Sequence, residues 1–268
     1  MAMIMQTLSR LSRVRITLGY AALLVGVSMA LVYLGPRVRA QVIAQSSTNL
    51  HNLARGNLET LFGSAFVTDA GPMYFWLPCL VCLLALAELI WRSGRLAVVF
   101  VTGHIGATLL VACGLTAAIE LHWLPLKIAR ASDVGVSYGA VAVLGALTAA
   151  IPTRWRPAWI GWWVPVGIAA AVLGEDFTDV GHAVALMLGM LVALRLDGPA
   201  RWTQTRCFLL TVSAIFGFFL LVHGSWSMAV AAVVGLAGGA ATELTTRSLL
   251  ARRRVELAAL PPEPVLNG

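Results

Sequence analysis

The stretch that decides the fold is residues 133–145, D-V-G-V-S-Y-G-A-V-A-V-L-G, with one hydroxyl, Ser137, near its start. It is apolar and rich in small residues, a composition that lets helix backbones approach closely inside a membrane. Residues 179–189, D-V-G-H-A-V-A-L-M-L-G, form a similar stretch with one ionisable ring, His182. We therefore expect a serine and a histidine at matched depth in two membrane helices.

The composition indicates a polytopic, all-α membrane protein. Of the 268 residues, 59% are hydrophobic and only 12% are charged, whereas soluble domains are about 25% charged. The net charge of +7 does not indicate nucleic-acid binding, because the basic residues lie at the ends of apolar runs, where they set orientation.

Eight apolar runs are predicted to span the membrane. Basic residues concentrate on one side of this topology, because only five of the 19 lysines and arginines fall in predicted outer segments. This bias predicts a protein of the plasma (inner) membrane with both termini in the cytoplasm. The predicted spans are 16–35, 73–91, 97–118, 134–151, 157–173, 179–194, 207–222 and 227–242.

The polar interval between the first two spans, residues 36–71, is long for a connection in a compact membrane protein, which favours a functional or interfacial element. We expect short amphipathic helices there, lying at the outer surface. No cofactor is predicted.

Ser137 and His182 are the candidate catalytic pair. A serine becomes nucleophilic when a base takes its proton, and histidine has a suitable pKa. Asp179, one turn before His182, is a possible orienter of the ring, and we expect Ser132 or Asp133 and Thr178 or Asp179 to cap the two helices. The structural alternatives stay open, since a transmembrane serine often bonds to its own helix.

Three further features are predicted to be structural. His104 lies nearer the inner half and is expected to pack or to form an interhelical hydrogen bond. Cys79 and Cys82 share a helix face but lack a second ligand pair, so we predict small buried hydrophobic residues and no metal site.

Taken together, these residues resemble the rhomboid family of intramembrane serine proteases. Gly135 and Ser137 match the G-x-S-G of the family's fourth core helix, and Gly145 matches a glycine eight residues after the serine. His182 begins a match to H-x-x-G/A-x-x-x-G of the sixth core helix, continued by Ala185 and Gly189, and residues 88–95 look like the end of the second helix. The interval before Met73 sits where rhomboids have a membrane-embedded first loop.

The sequence departs from the rhomboid pattern around the nucleophile. Tyr138 replaces the glycine after the serine, and the oxyanion-supporting histidine and asparagine would fall at about Pro72 and Trp76. Val141 stands where an aromatic normally packs on the histidine. Tyr138 and the backbone N–H groups near Gly135 are possible substitutes as oxyanion donors. Losing one such donor typically costs about 10²–10³ in rate.

The resemblance implies a rhomboid-like six-helix core over residues 16–194, preceded by a cytoplasmic N-terminus (1–15). Two additional transmembrane helices (195–243) and a cytoplasmic tail (244–268) follow it. Three functions are open: a divergent protease using a Ser137–His182 dyad to cleave transmembrane substrates, an inactive rhomboid-like protein that binds transmembrane partners, and a small-molecule transporter. The implied partners are membrane lipid and transmembrane helices of other proteins.

Overall fold

A computed structural model gives the fold, and it describes residues 12–69 and 73–258, with the side chains of 253–258 excepted. Within these residues there is no strand, and the predicted all-α membrane helix bundle is confirmed. We number the α-helices α1 (Arg15–Leu34), α2 (Pro36–Ser46), α3 (Leu50–Ala54), α4 (Thr60–Gly63), α5 (Met73–Glu120), α6 (Ser137–Ala146), α7 (Arg156–Leu173), α8 (Phe177–Ala193), α9 (Gln204–Leu221) and α10 (Ser225–Ala258). Short 3₁₀ helices include Ser64–Phe66, Leu126–Arg130 and Leu147–Ala149.

Each predicted span coincides with helix, with one difference in connectivity. The second and third predicted spans are two helical segments, 73–91 and 93–120, which follow each other without a loop and which we label together as α5. They meet at Arg92, whose φ of 68° and ψ of 166° are not helical. The polar run Arg92–Ser93–Gly94–Arg95 supplies the turn, so no separate loop is needed between the two segments.

Within the described residues, four helices are long and apolar enough to cross a membrane, namely Ser12–Leu34, Met73–Glu120, Gln204–Leu221 and Ser225–Arg252. Two more apolar helices, Ser137–Ala149 and Phe177–Ala193, are shorter. A bilayer core of about 30 Å needs about 20 helical residues, and these two fall below that length. Helix α6 lies inside the bundle, where it contacts protein over most of its length.

Helix α6 is the centre of the core. Every residue from Tyr138 to Ala146 is buried. Its neighbours approach it through glycine: a Cβ added at Gly189 of α8 would overlap the Ala142 carbonyl, and one at Gly103 of α5 would overlap the Ala142 side chain. The predicted close approach of the two motif-bearing helices is thus present, and it extends along their length.

Glu88 fastens α1 to the first segment of α5. It is only 2% exposed, and its carboxylate accepts hydrogen bonds from the backbone N–H groups of Ile16 (3.0 Å) and Thr17 (2.9 Å) and from the Thr17 hydroxyl (2.7 Å). Ser93 Oγ also donates to it. Glu88 therefore caps α1, whose own N-cap residue provides no side-chain bond.

The bundle has two ends that we name by their residues. The arginine-rich end contains the start of α1, the Arg92 turn and Arg195. At this end the Arg206 side chain donates a hydrogen bond to the Leu89 carbonyl at 2.9 Å. The site end carries the first residues of α6 and α8.

The interval between α1 and α5 contains short helices, as predicted. The prediction that it lies at the outer surface is wrong for its second part, around Ser64–Phe66. Ser64 is buried and its Oγ lies 3.0 Å from Nε2 of His104. His104 lies about 17 Å along α5 from Ser93 at 1.5 Å per residue, near the middle of that segment. The Tyr20 hydroxyl of α1 donates to the Ala65 carbonyl at 2.6 Å. These bonds draw Ser64–Phe66 into the bundle.

The last two apolar runs are separate helices, divided at Gly224 with a φ of +86°. Helix α9 packs on α5 and α6, with Gly217 against Leu144. Helix α10 packs on α7, where Gly238 contacts Gly161 and the Thr242 hydroxyl donates to the Pro157 carbonyl at 2.9 Å.

Candidate functional site

Hydrogen bonds to the interval between α1 and α5 determine where α6 begins. The Asp133 N–H donates to Ser47 Oγ at 2.8 Å, and the Gly135 N–H donates to the Ser64 carbonyl at 2.9 Å. Gly135 has a φ of +131°, a value that side chains rarely adopt. The helix therefore begins at Ser137, and the expected caps Ser132 and Asp133 are wrong because this segment bonds to the interval instead.

The start of α8 is capped, although not by the predicted residue. Asp176 is the N-cap, and Asp179 closes a capping box by accepting the Asp176 N–H at 3.2 Å. The expectation that Thr178 or Asp179 occupies the cap is wrong, because the helix begins earlier, at Phe177. Asp179 is buried, and its carboxylate crowds the place of a Cβ at Gly174.

The side chain of α6 that packs against His182 is Tyr138. The ring centres lie 5.3 Å apart and the planes are at 77°. A Cβ added at Gly181 would overlap the Tyr138 hydroxyl, so the absence of a side chain there admits the tyrosine. Tyr138 and His182 are 3% and 6% exposed, whereas Ser137 is half-buried.

The polar atoms of this pair have no hydrogen-bond partner within the described residues. Both ring nitrogens of His182 and the hydroxyl of Tyr138 are buried and unpaired. Consequently neither Ser137 nor Asp179 is hydrogen-bonded to His182. The catalytic roles of Ser137 and His182, and the supporting roles of Gly135, Tyr138 and Asp179, stay predictions.

His223 is a member of the site that sequence reasoning missed. It follows α9, and its Nδ1 lies 3.5 Å from Asp179 Oδ1 while its ring centre lies 6.5 Å from that of His182. It also lines a cavity of about 570 Å³ between the α7–α8 and α9–α10 turns. No local sequence pattern indicates His223, because its spatial neighbours Asp179 and His182 are about 40 residues away in the sequence.

A carboxyl group with a raised pKa lies at this end of the bundle. Asp133 lies outside the predicted spans, and burial, with a smaller contribution from the nearby Asp176 carboxylate, raises its pKa to about 7. The site end therefore holds a carboxyl group that titrates near neutral pH.

The remaining predicted positions lie around this site or apart from it. Val141 is fully buried in α6, and Trp76 lies in the first segment of α5. Pro72 falls outside the described residues. His104 is a buried hydrogen-bonding residue, as expected, but its partner Ser64 was not predicted.

The cysteine, histidine and acidic side chains that the structure describes are the candidates for metal ligands. Cys79 and Cys82 are free and partly buried. Among the residues that the structure describes, no group of three or more histidine, cysteine, aspartate or glutamate side chains is arranged to hold a metal ion.

The helices described above form a polytopic membrane bundle. The family model described as rhomboid-like protein matches residues 13–200, and the chain belongs to that family. It is therefore a multi-pass integral membrane protein. No curated protein and no solved structure matches the chain. Helices α9 and α10, with His223 between them, follow the matched region.

Proposed function

We propose that this protein is a non-hydrolytic rhomboid-like membrane protein that binds transmembrane helices of other proteins. The observation that carries the proposal is the contact between Tyr138 and His182, with both imidazole nitrogens unpaired. A serine hydrolase needs its base within about 2.6–3.2 Å of the nucleophile, and His182 forms no hydrogen bond to Ser137 in the part of the chain described.

The proposed binding role is supported by polar side-chain atoms that lie between the membrane helices at this site without hydrogen-bond partners. Buried polar groups without partners cost about 1–3 kcal/mol each, and ionisable residues inside membrane spans are by default functional. His182 and Tyr138 present three such atoms. These atoms are buried, so a transmembrane partner with polar groups satisfies them when the side chains at the site end rearrange, without any covalent chemistry.

A divergent Ser137–His182 protease is the second candidate. The observation that favours it is the position of Ser137, which is the first residue of α6, half-buried and next to Tyr138. In this alternative Ser137 is the nucleophile and His182 the base, and a side-chain rearrangement must first pair them.

We also propose the plasma (inner) membrane as the location, with both termini in the cytoplasm. The support is the concentration of arginines at the end where α1 begins, including Arg92, Arg95 and Arg195, because cytoplasmic segments carry an excess of positive charge.

Site-specific photo-crosslinking in cells tests the binding proposal. A photoreactive residue replaces Trp226, which is 77% exposed beside the cavity at the site end. The matched control position is Leu250, 55% exposed at the other end of the same helix. We expect crosslinks from position 226, absent at 250, that map to a partner's transmembrane segment.

The same experiment in a Ser137→Ala background distinguishes the two candidates. A binding protein captures the same full-length partner with and without the serine. Capture of a shortened partner by the wild type and a full-length one by Ser137→Ala would instead establish proteolysis.

A further inference from the structure

A second cavity is a narrow groove whose lining does not include His182. It lies between α1 and α5 and is closed on its third side by the short helices of the interval, with a volume of about 170 Å³. Its wall includes Ile16, Tyr20, Phe66, Ala97 and Val101.

The polar groups around this groove are engaged elsewhere or, like His104 Nδ1, buried, which leaves the accessible lining apolar. The Tyr20 hydroxyl donates to the Ala65 carbonyl at 2.6 Å, and His104 Nε2 lies 3.0 Å from Ser64 Oγ. A ligand therefore meets aliphatic and aromatic surface, without hydrogen-bonding groups to select a polar molecule.

The size of the groove selects its occupant. A helix with its side chains is about 10–12 Å across, and pockets for drug-sized ligands measure about 300–1,000 Å³. A groove of about 170 Å³ is too small for either. The lining runs along α5 from Leu96 to Ile105, about 13 Å at 1.5 Å per residue, so its shape is long and thin. A single hydrocarbon chain fits this shape.

We propose that the groove is a binding site for one acyl chain of an anionic phospholipid. The charge argument comes from the arginine-rich end, where the groove begins at Ile16. Arg15 precedes Ile16, is exposed and forms no ion pair among the described residues. Arg95 directly precedes the lining residue Leu96, but it is paired with Asp197. The nearby Glu88 carboxylate turns inward to the α1 N–H groups.

The bound lipid stabilises the embedded interval. Its chain covers Leu61 and Phe66, which the interval contributes to the groove, and its phosphate lies at Arg15. A bound hydrocarbon chain covers the apolar surface of the groove wall. In addition, each arginine near a membrane surface contributes about 1 kcal/mol of attraction for anionic lipid.

Electron paramagnetic resonance of spin-labelled lipids tests the site on the full chain. The protein is reconstituted in phosphatidylcholine nanodiscs containing phosphatidylglycerol spin-labelled near the middle of one acyl chain. Phosphatidylcholine with the same label is the comparison. Ala97→Phe fills the groove, and the control Val98→Phe adds the same ring one residue away, at a side chain 61% exposed outside the groove.

We expect an immobilised lipid component in the wild type and in Val98→Phe that is lost in Ala97→Phe. Arg15→Gln should keep the component but lower the preference for phosphatidylglycerol over phosphatidylcholine about fivefold, the equivalent of one arginine's attraction. Arg195→Gln, at the same end but away from the groove, should leave the preference unchanged. Equal immobilisation in Ala97→Phe and Val98→Phe, or an unchanged preference in Arg15→Gln, would overturn the proposal.

Discussion

Tyr138 lies with its ring edge-to-face against His182, the ring centres 5.3 Å apart, and fills the space left by the missing side chain of Gly181. In the rhomboid pattern a glycine follows the serine, and here that position holds a large ring in contact with the histidine. The contact gives His182 a packing partner in place of a hydrogen-bonding one, which is why we favour binding over hydrolysis.

The Tyr138 hydroxyl is predicted to lower the stability of the protein, whereas the ring is predicted to raise it. Tyr138→Phe should raise the free energy of unfolding by about 1 kcal/mol, because it removes a buried hydroxyl without a partner. Tyr138→Ala should lower it by about 3–5 kcal/mol, the usual cost of emptying an aromatic site. Chemical denaturation in detergent measures both. A loss of stability in Tyr138→Phe would contradict this prediction, because it would show that the hydroxyl forms a hydrogen bond to a group outside the described residues.

Glu88 is predicted to hold the first transmembrane helix in place. Glu88→Gln should lower the free energy of unfolding by about 1.5–3 kcal/mol, because a buried charged acceptor at the start of α1 loses its charge. The measurement is thermal unfolding together with the rate of proteolysis within α1. Glu120→Gln, at the far end of the same helix, is the control and should leave both unchanged. Equal effects of the two substitutions would refute the capping role.

The bond between Ser64 and His104 is predicted to hold the interval inside the bundle. A double-mutant cycle with Ser64→Ala and His104→Phe should give a coupling energy of about 1 kcal/mol, typical of a buried hydrogen bond. Hydrogen exchange of residues 60–66 should accelerate in each single variant. His122→Phe, at an exposed histidine in the turn after α5, serves as the control. Strict additivity of the two substitutions would show that the pair does not interact.

Asp133 is predicted to make stability depend on pH. The pKa of Asp133 is about 7 in the folded protein, whereas an aspartate exposed to water has a pKa of 3.8. Folding therefore disfavours the charged form. The protein should lose stability as pH rises from about 4 to about 7, and Asp133→Asn should remove that part of the dependence. Unfolding midpoints across this range provide the measurement. Parallel pH profiles for the two proteins would contradict it.

Much of the fold follows from the sequence, because hydrophobic runs of helical length and glycine spacing are local properties. The positions of all eight apolar helices and the approach of α6 to α8 through Gly189 were predictable in this way. The rotation of α6 was not, since it depends on the turn at Gly135 and on the bond from Gly135 to Ser64. That rotation decides whether Ser137 or Tyr138 packs against His182.

Two other features depend on contacts distant in sequence. His223 reaches Asp179 only because α9 packs on the core and ends at the same height. Ser64 reaches His104 only because the interval folds inward. Neither residue lies in a motif, so no local pattern predicts its partner.

The central claim is that the site does not hydrolyse, and fluorophosphonate labelling of the protein in native membranes tests it most directly. Wild type, Ser137→Ala and His182→Ala are compared, with an active rhomboid protease as the labelling control. Our account predicts no labelling that depends on Ser137. Labelling of the wild type that disappears in both Ser137→Ala and His182→Ala would contradict it and establish a working serine–histidine dyad.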